Sequence, residues 1–227
     1  MRITVLTGAG ISAESGLATF RASDGLWENH RIEDVATPEA FARDPALVHQ
    51  FYNMRRANAA AAQPNAAHHA LARLARHHDL VLVTQNVDDL HERAGSPEVI
   101  HMHGALDRAR CAACGHGWPA PAVMLPDDPC PACAAPATRP DIVWFGEIPR
   151  HMERIWQALE ESDLFAAIGT SGNVYPAAGF AQHAGRHGVE CVELNLENSV
   201  NALDFDRRIL GPASRTVPAW VEELVGG

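Results

Sequence analysis

Short apolar runs recur along the chain with helical stretches between them, and this alternation most restricts what the chain can fold into. Ile3–Leu6, Leu80–Val83, Leu164–Ile168 and Val189–Leu194 are rich in Ile, Val and Leu. Strands buried on both faces read this way. Ile142–Phe145 reads as a further strand. Thr37 ahead of Pro38 and Glu39 predicts a helix start, with Thr37 as cap and Pro38 at the first position. Asn65 opens another helix with Leu71 and Leu74 on its apolar face. Val87–Arg93 reads as a short helix stopped by Gly95, and Ile155–Glu161 and Pro176–Arg186 as two more. A helix is also expected directly after Gly10. Strands alternating with helices imply an α/β fold with a parallel, Rossmann-like sheet.

Residues 111–140 break this pattern. They hold four cysteines, many prolines and few large apolar groups, so they need a staple rather than a core. Cys111 and Cys114, then Cys130 and Cys133, make two Cys-x-x-Cys knuckles with 15 residues between the pairs. That spacing predicts one tetrahedral zinc, and four thiolates leave no open position, so the metal is structural. A redox pair is the rival, and the doubled pattern argues against it. His116 is a competing ligand. Cys191 lies in an apolar strand and reads as core.

The chain has 227 residues, 47% hydrophobic and 20% charged, enough for one large domain carrying an inserted module. Its formal net charge of −10 argues against a nucleic-acid partner, and residues 115–138 contain no Lys or Arg. An acidic surface suits basic, lysine-bearing substrates. No apolar run reaches 18 residues, so no membrane span is expected. Met1–Leu6 is too short for a signal peptide, and the expected compartment is the cytoplasm.

Gly8-Ala9-Gly10-Ile11-Ser12-Ala13 after the first strand fits a dinucleotide-binding turn, in which glycines admit a pyrophosphate and a helix N-terminus faces it. A tight strand–helix turn without a ligand would read the same. A dehydrogenase would next show a strand ending in an acid about 20 residues on. Glu28 has that spacing, but residues 22–27 are no buried strand. Gly169-Thr170-Ser171 and Asn195 follow later strands and suit phosphate and ribose contacts.

Several segments together resemble the sirtuin family across essentially the whole chain. They are Gly8–Gly16 followed by Thr19-Phe20-Arg21; Thr84-Gln85-Asn86-Val87-Asp88-Asp89-Leu90-His91; His101-Met102-His103-Gly104; Val143-Trp144-Phe145-Gly146-Glu147; Gly169-Thr170-Ser171; Asn195-Leu196-Glu197; and Gly211-Pro212-Ala213-Ser214. Ala18-Thr19 stands where many sirtuins have Pro-Asp, while Phe20-Arg21 is kept.

The resemblance implies an NAD-dependent protein lysine deacylase that yields free lysine, nicotinamide and O-acyl-ADP-ribose. It implies cofactor contacts from Gly8, Ala9, Gly10, Ser12, Ala13, Glu14, Thr19, Phe20, Arg21, Trp27, Gln85, Asn86, Val87, Asp88, His103, Gly169, Thr170, Ser171, Asn195, Leu196, Glu197 and Ala213. His103 is implied as general base, with His101 two residues away as the residue to tell it from. Asn86 and Asp88 are implied at the nicotinamide pocket, although locally they would also serve as helix caps. Phe20 would shield the reactive carbon from water.

Val143, Phe145, Gly146 and Glu147 are implied to bind substrate. So is Tyr52-x-x-Arg55, which resembles the signature of sirtuins that remove succinyl and malonyl groups, with Ala36 widening the pocket. A guanidinium and a phenol on one helix face suit a carboxylate. Desuccinylation with residual deacetylation is therefore expected, on acylated-lysine proteins, by a monomer. The expected layout is a Rossmann-like domain of residues 1–30, 79–106 and 141–227. A small domain of residues 31–78, a helical module, and 107–140, the zinc ribbon, is inserted into it. The alternatives are a sirtuin-type ADP-ribosyltransferase, a non-catalytic NAD-binding module and a nucleic-acid-binding zinc protein.

Overall fold

The computed structural model describes residues 1–19, 26–27 and 30–226. The strands are β1 (Arg2–Thr7), β2 (Leu26–Trp27), β3 (His30–Arg31), β4 (Asp79–Thr84), β5 (Ile100–His101), β6 (Gly104–Cys111), β7 (Gly117–Pro119), β8 (Thr138–Ile142), β9 (Leu164–Ile168), β10 (Glu190–Asn195) and β11 (Arg207–Leu210). The helices are α1 (Ile32–Val35), α2 (Pro38–Arg43), α3 (Pro45–Ala61), α4 (Ala66–Leu74), α5 (Leu90–Arg93), α6 (Met152–Glu161), α7 (Phe180–Arg186) and α8 (Ala213–Val225). None is long and apolar enough to cross a membrane.

A six-stranded sheet in the order β11-β10-β9-β1-β4-β5 is parallel throughout. β1 is central and buried from Ile3 to Thr7 because helices cover both faces. Ile3 and Val5 pack with Leu71 and Leu74 of α4 and with Val217, Trp220 and Val221 of α8. Leu6 points the other way, into a cluster with Ile155 and Leu159 of α6 and Phe180 and Ala184 of α7. Burying one such Leu or Ile contributes about 2 kcal/mol, so each layer is held by many comparable terms. β8, β6 and β7 form a separate antiparallel sheet.

The strand order reverses between β1 and β9, and that crevice is where sheets of this kind bind ligands. Two turns lock together there. Gly8 N–H donates to Ile168 O and Gly10 N–H to Gly169 O, both at 2.9 Å. A Cβ on Gly10 would lie 2.6 Å from Gly169 Cα, and one on Gly8 2.7 Å from Gly169 O. Gly169 itself sits at φ +64°. These glycines thus admit a neighbouring backbone, a constraint the dinucleotide reading did not contain.

The α-helix expected after Gly10 does not form. Two single 3₁₀ turns, Ala9–Ile11 and Ala13–Ser15, end at Gly16 with φ +87°. The Ile11 carbonyl accepts from Asn65 Nδ2 (2.8 Å), and the Asn65 amide also reaches Ser15 Oγ (3.0 Å), so α4's cap takes bonds a continuing helix would use. The short helix expected over Val87–Arg93 is the single turn α5. The strand expected over Ile142–Phe145 ends at Ile142 and pairs antiparallel with β6. Beyond it, Val143 N–H donates to His103 O (2.9 Å) and Phe145 N–H to Ala36 O (3.0 Å), so each amide reaches a different segment. Thr37 and Asn65 cap α2 and α4 as their positions predict, through Ala40 N–H (3.0 Å) and Ala67 N–H (2.9 Å).

Cys111, Cys114, Cys130 and Cys133 place their sulfurs within 4.8 Å of one another. Cys111–Cys133 and Cys114–Cys130 are each 3.7 Å apart. The edge of a tetrahedron with Zn–S bonds of about 2.3 Å is about 3.8 Å, so the set fits one structural zinc. His116 stacks on Trp118 instead, centroids 5.8 Å apart. Cys191 is buried, as expected.

Asn53 and Arg56 of α3 tie this module to the body. Asn53 Nδ2 donates to Met124 O and Met124 N–H to Asn53 Oδ1, both at 2.9 Å. Arg56 donates to Leu106 O (2.7 Å), Ala122 O (3.4 Å) and Met124 Sδ (3.2 Å). Cys114→Ser is expected to release the one zinc and leave residues 112–137 open to protease, while the parallel sheet keeps its protection. Metal analysis with limited proteolysis checks this; zinc retained at one per chain would count against the four-thiolate site.

Candidate active site

One cavity of ≈980 Å³ lies over the β1–β9 crevice. Its walls gather nearly every position picked from sequence. Gly8, Ala9, Gly10, Ser12, Ala13, Glu14 and Thr19 come from the first turn, and Gln85, Asn86, Val87 and Asp88 from the end of β4. His103 follows β5. Gly169, Thr170 and Ser171 follow β9, Asn195 ends β10 with Leu196 and Glu197 just beyond it, and Ala213 begins α8. Ala36, Tyr52 and Arg55 line it from the helical side, and Val143, Phe145, Gly146 and Glu147 from the loop after β8. Phe20, Arg21 and the Trp27 side chain lie outside the described residues.

The two histidines separate by their partners. His103 Nδ1 donates to Gln85 O (3.2 Å), so the neutral ring keeps its lone pair on Nε2. Burial pushes its pKa down, with the Gln85 carbonyl opposing. His101 donates from Nδ1 to Asn86 O (3.1 Å) and from Nε2 to Glu92 Oε1 (2.7 Å). Burial works against its charge, but Glu92 prevails and its pKa is raised. With both nitrogens donating, His101 has no lone pair for a base.

Behind the cavity wall runs a buried polar chain whose direction is fixed. Asn65 N–H donates to His68 Nδ1 (3.3 Å), which puts the His68 proton on Nε2, facing Ser12 Oγ at 3.4 Å. Ser12 also accepts from Asn86 Nδ2 (3.2 Å), so its own proton goes to Asp88 Oδ2 (3.2 Å). Asn86 Nδ2 shares its second proton with Gly8 O (3.1 Å), which leaves Oδ1 as its uncommitted end. Asp88 Oδ1 accepts from Leu90 N–H (3.2 Å), and burial raises the Asp88 pKa. Next to this chain, His91 Nε2 meets Thr7 Oγ1 (2.9 Å), which donates to Thr84 Oγ1 (2.8 Å).

The helical side presents Tyr52 and Arg55. The buried Tyr52 phenol accepts from Trp144 Nε1 (3.0 Å), which leaves its own proton to donate. Burial pushes the phenol pKa up to about 12, so it stays protonated. Two acids picked from sequence are spent on the scaffold. Glu147 accepts from Arg139 at 2.8 and 3.0 Å and from Trp144 N–H at 2.8 Å. Glu14 accepts from Ser214 Oγ (2.6 Å) and N–H (2.8 Å), which lowers its pKa. His68, His91, Thr7 and Trp144 were missed as contributors. The Asn65–His68 spacing is the one local signal that pointed to His68.

His68 is fully buried, and burial pushes its pKa down to about 4 from 6.5. Between these values the unfolded chain binds a proton that the folded chain refuses. Stability is therefore complete above about pH 6.5 and falls toward pH 4, by on the order of 3 kcal/mol. His91 shifts in the same direction. Urea unfolding from pH 7 to 4.5 is expected to show this slope, and His68→Gln to make it shallower while His91 keeps its share; an equal slope in the variant would assign it elsewhere.

The model of the Sir2 family matches residues 8–176. An NAD-dependent protein deacylase of Caulobacter vibrioides is 56% identical over 99% of this chain and 97% of its own length. One of Escherichia coli is 56% identical over all of this chain and 83% of its own length. A solved Sir2 homolog–NAD complex superposes with TM-score 0.90 at 40% identity, covering 98% of this chain and 88% of the other. The family match, these two relatives and the shared fold agree, and the chain belongs to the Sir2 family.

Proposed function

We propose that this chain is an NAD-dependent protein lysine deacylase that removes succinyl and malonyl groups as well as acetyl, with nicotinamide and O-acyl-ADP-ribose as products. What carries the reading is that His103, Asn86, Asp88, Tyr52 and Arg55 all face one cavity. Bound NAD supplies an electrophilic ribose carbon with nicotinamide as its leaving group. The turns after β1, β9 and β10 are the residues to hold it, in a crevice whose backbone is fixed by glycine contacts.

Asn86 Oδ1 accepts from the nicotinamide amide, while Ser12 and Gly8 keep the Asn86 side chain from rotating. Asp88, held by Ser12 and Leu90, accepts a further hydrogen bond there. His103 Nε2 takes the proton of a ribose hydroxyl, and the Gln85 carbonyl stabilises the imidazolium that results. On the acyl side, a terminal carboxylate pairs with the Arg55 guanidinium and accepts from the Tyr52 phenol. An acetyl group forgoes that pairing but still fits, because water can solvate the guanidinium.

Matched succinyl-lysine and acetyl-lysine peptides incubated with NAD and followed by mass spectrometry test both parts. His103→Ala is expected to lower kcat at least about 100-fold on both peptides. Arg55→Met is expected to remove desuccinylation selectively. ADP-ribose appearing on protein with no acyl loss would mean a transferase instead. Acetyl loss without succinyl loss would overturn the assignment of Tyr52 and Arg55.

Burial lowers the His103 pKa from its ordinary value, which favours the neutral base. The acid limb of kcat/KM is therefore expected below pH 6.5. A limb above that value would remove His103 as the titrating base.

A further inference from the structure

Away from the cavity, α6 and α7 bring three metal-ligating side chains together on the surface. We infer that Glu160, His183 and His187 bind a divalent transition-metal ion of the nickel, copper or zinc kind. Glu160 lies on α6, His183 on α7, and His187 caps the end of α7. Each offers one ligand atom, and these atoms all lie within 4.8 Å of one another.

The spacing suits a metal. His183 Nε2 and Glu160 Oε1 are 3.0 Å apart. That equals the edge of an octahedron with bonds of about 2.1 Å, the range for imidazole and carboxylate ligands. His183 and His187 are four apart, so they share a face of α7. Their rings are 4.7 Å apart by centroid.

His187 is also aimed in advance. Its Nδ1 donates to the His183 carbonyl at 3.0 Å, which leaves the ring's lone pair on Nε2. Metal-bound histidines characteristically donate their other N–H to a carbonyl in this way, which fixes tautomer and orientation. The metal takes the Nε2 position that now donates to Glu160, and the neutral His183 ring carries its one proton on Nδ1 instead. Glu160 and His187 are exposed, so water can complete the coordination shell. Two imidazoles among the three ligands favour nickel, copper and zinc over calcium or magnesium. The formal net charge of −10 draws cations in general.

The site has its own reporter. Trp156 of α6 packs against the His183 ring with centroids 4.7 Å apart. None of the three ligands lines the cavity, so the site is separate from the deacylase reading.

The test uses tag-free, zinc-loaded protein titrated with NiCl2, followed by calorimetry and tryptophan emission, with zinc content measured throughout. One saturable Ni²⁺ site with quenched emission and no zinc loss is expected. His183→Gln and His187→Gln should each weaken it at least about tenfold, and Glu160→Gln should weaken it less. Ni²⁺ should raise the Tm of the parent chain and not that of the double histidine variant. Peptide deacylation should be the same in all of them. Unchanged Ni²⁺ affinity in the double variant would place the metal elsewhere and overturn the proposal. Absence of saturable binding below about 1 mM, some 4 kcal/mol, would reduce the trio to a surface ion pair.

Discussion

The rest of the structure depends on the contact between two turns at the reversal of the sheet. Gly8 and Gly10 leave no Cβ where the Gly169 backbone passes, and Gly169 takes a left-handed turn to pass there. Any side chain at Gly10 would meet backbone rather than a flexible neighbour, so the crevice could not close by rotamer change. Because β1 and β9 are registered residue by residue up to Thr7 and Ile168, the loops leaving both strands diverge from one fixed point. The cavity is the space between those diverging loops.

From that point the polar order follows. The turn after Gly10 stays in 3₁₀ form and puts Ser12 under Asn86 and Asp88. Ser12 turns its own proton to Asp88 because His68 Nε2 donates to it rather than accepting, and His68 donates there because Asn65 N–H occupies its other nitrogen. Each donor has one acceptor, and reversing any member strands a buried group, which costs about 1–3 kcal/mol. Protonating His68 would break the Asn65 bond and place a charge in the core, so this orientation is tied to a neutral imidazole.

The sheet was legible in the sequence because parallel strands buried on both faces must be apolar nearly throughout, as β1, β4 and β9 are. The cysteine module was legible because tetrahedral coordination forces a spacing. Most cavity positions were legible only through the family resemblance, and local pattern alone left Asn86 and Asp88 as helix caps. The loop after Ile142 misled, since Val143–Phe145 is apolar like a strand but its amides bond to His103 and Ala36. β11 and α8 went unread: Arg207 and Arg208 mask one, and Pro218 interrupts the pattern of the other. His68 and His91 were hidden among 13 histidines, because burial and tautomer are set by segments far away in sequence.

Two adjacent arginines show how one helix serves both the body and the cavity. Arg55 and Arg56 are chemically equal, yet the rotation of about 100° between neighbouring residues of α3 sends them apart. Arg56 is buried, with its hydrogen bonds to the carbonyls of Leu106 and Ala122, the Asn53 amide oxygen and Met124 sulfur. Asn53 is on α3 itself, but the other partners lie in β6 and the cysteine module, so the zinc-held segment fixes the rotation of α3. Arg55 and Tyr52, on the adjoining face of the same helix, take their aim into the cavity from that rotation. On the reading proposed for the acyl pocket, the four thiolates have no contact with substrate but govern its recognition. Loosening the module would first free Arg56, then let α3 turn, and the carboxylate-binding pair would lose its direction before the catalytic histidine, anchored on Gln85, lost its own.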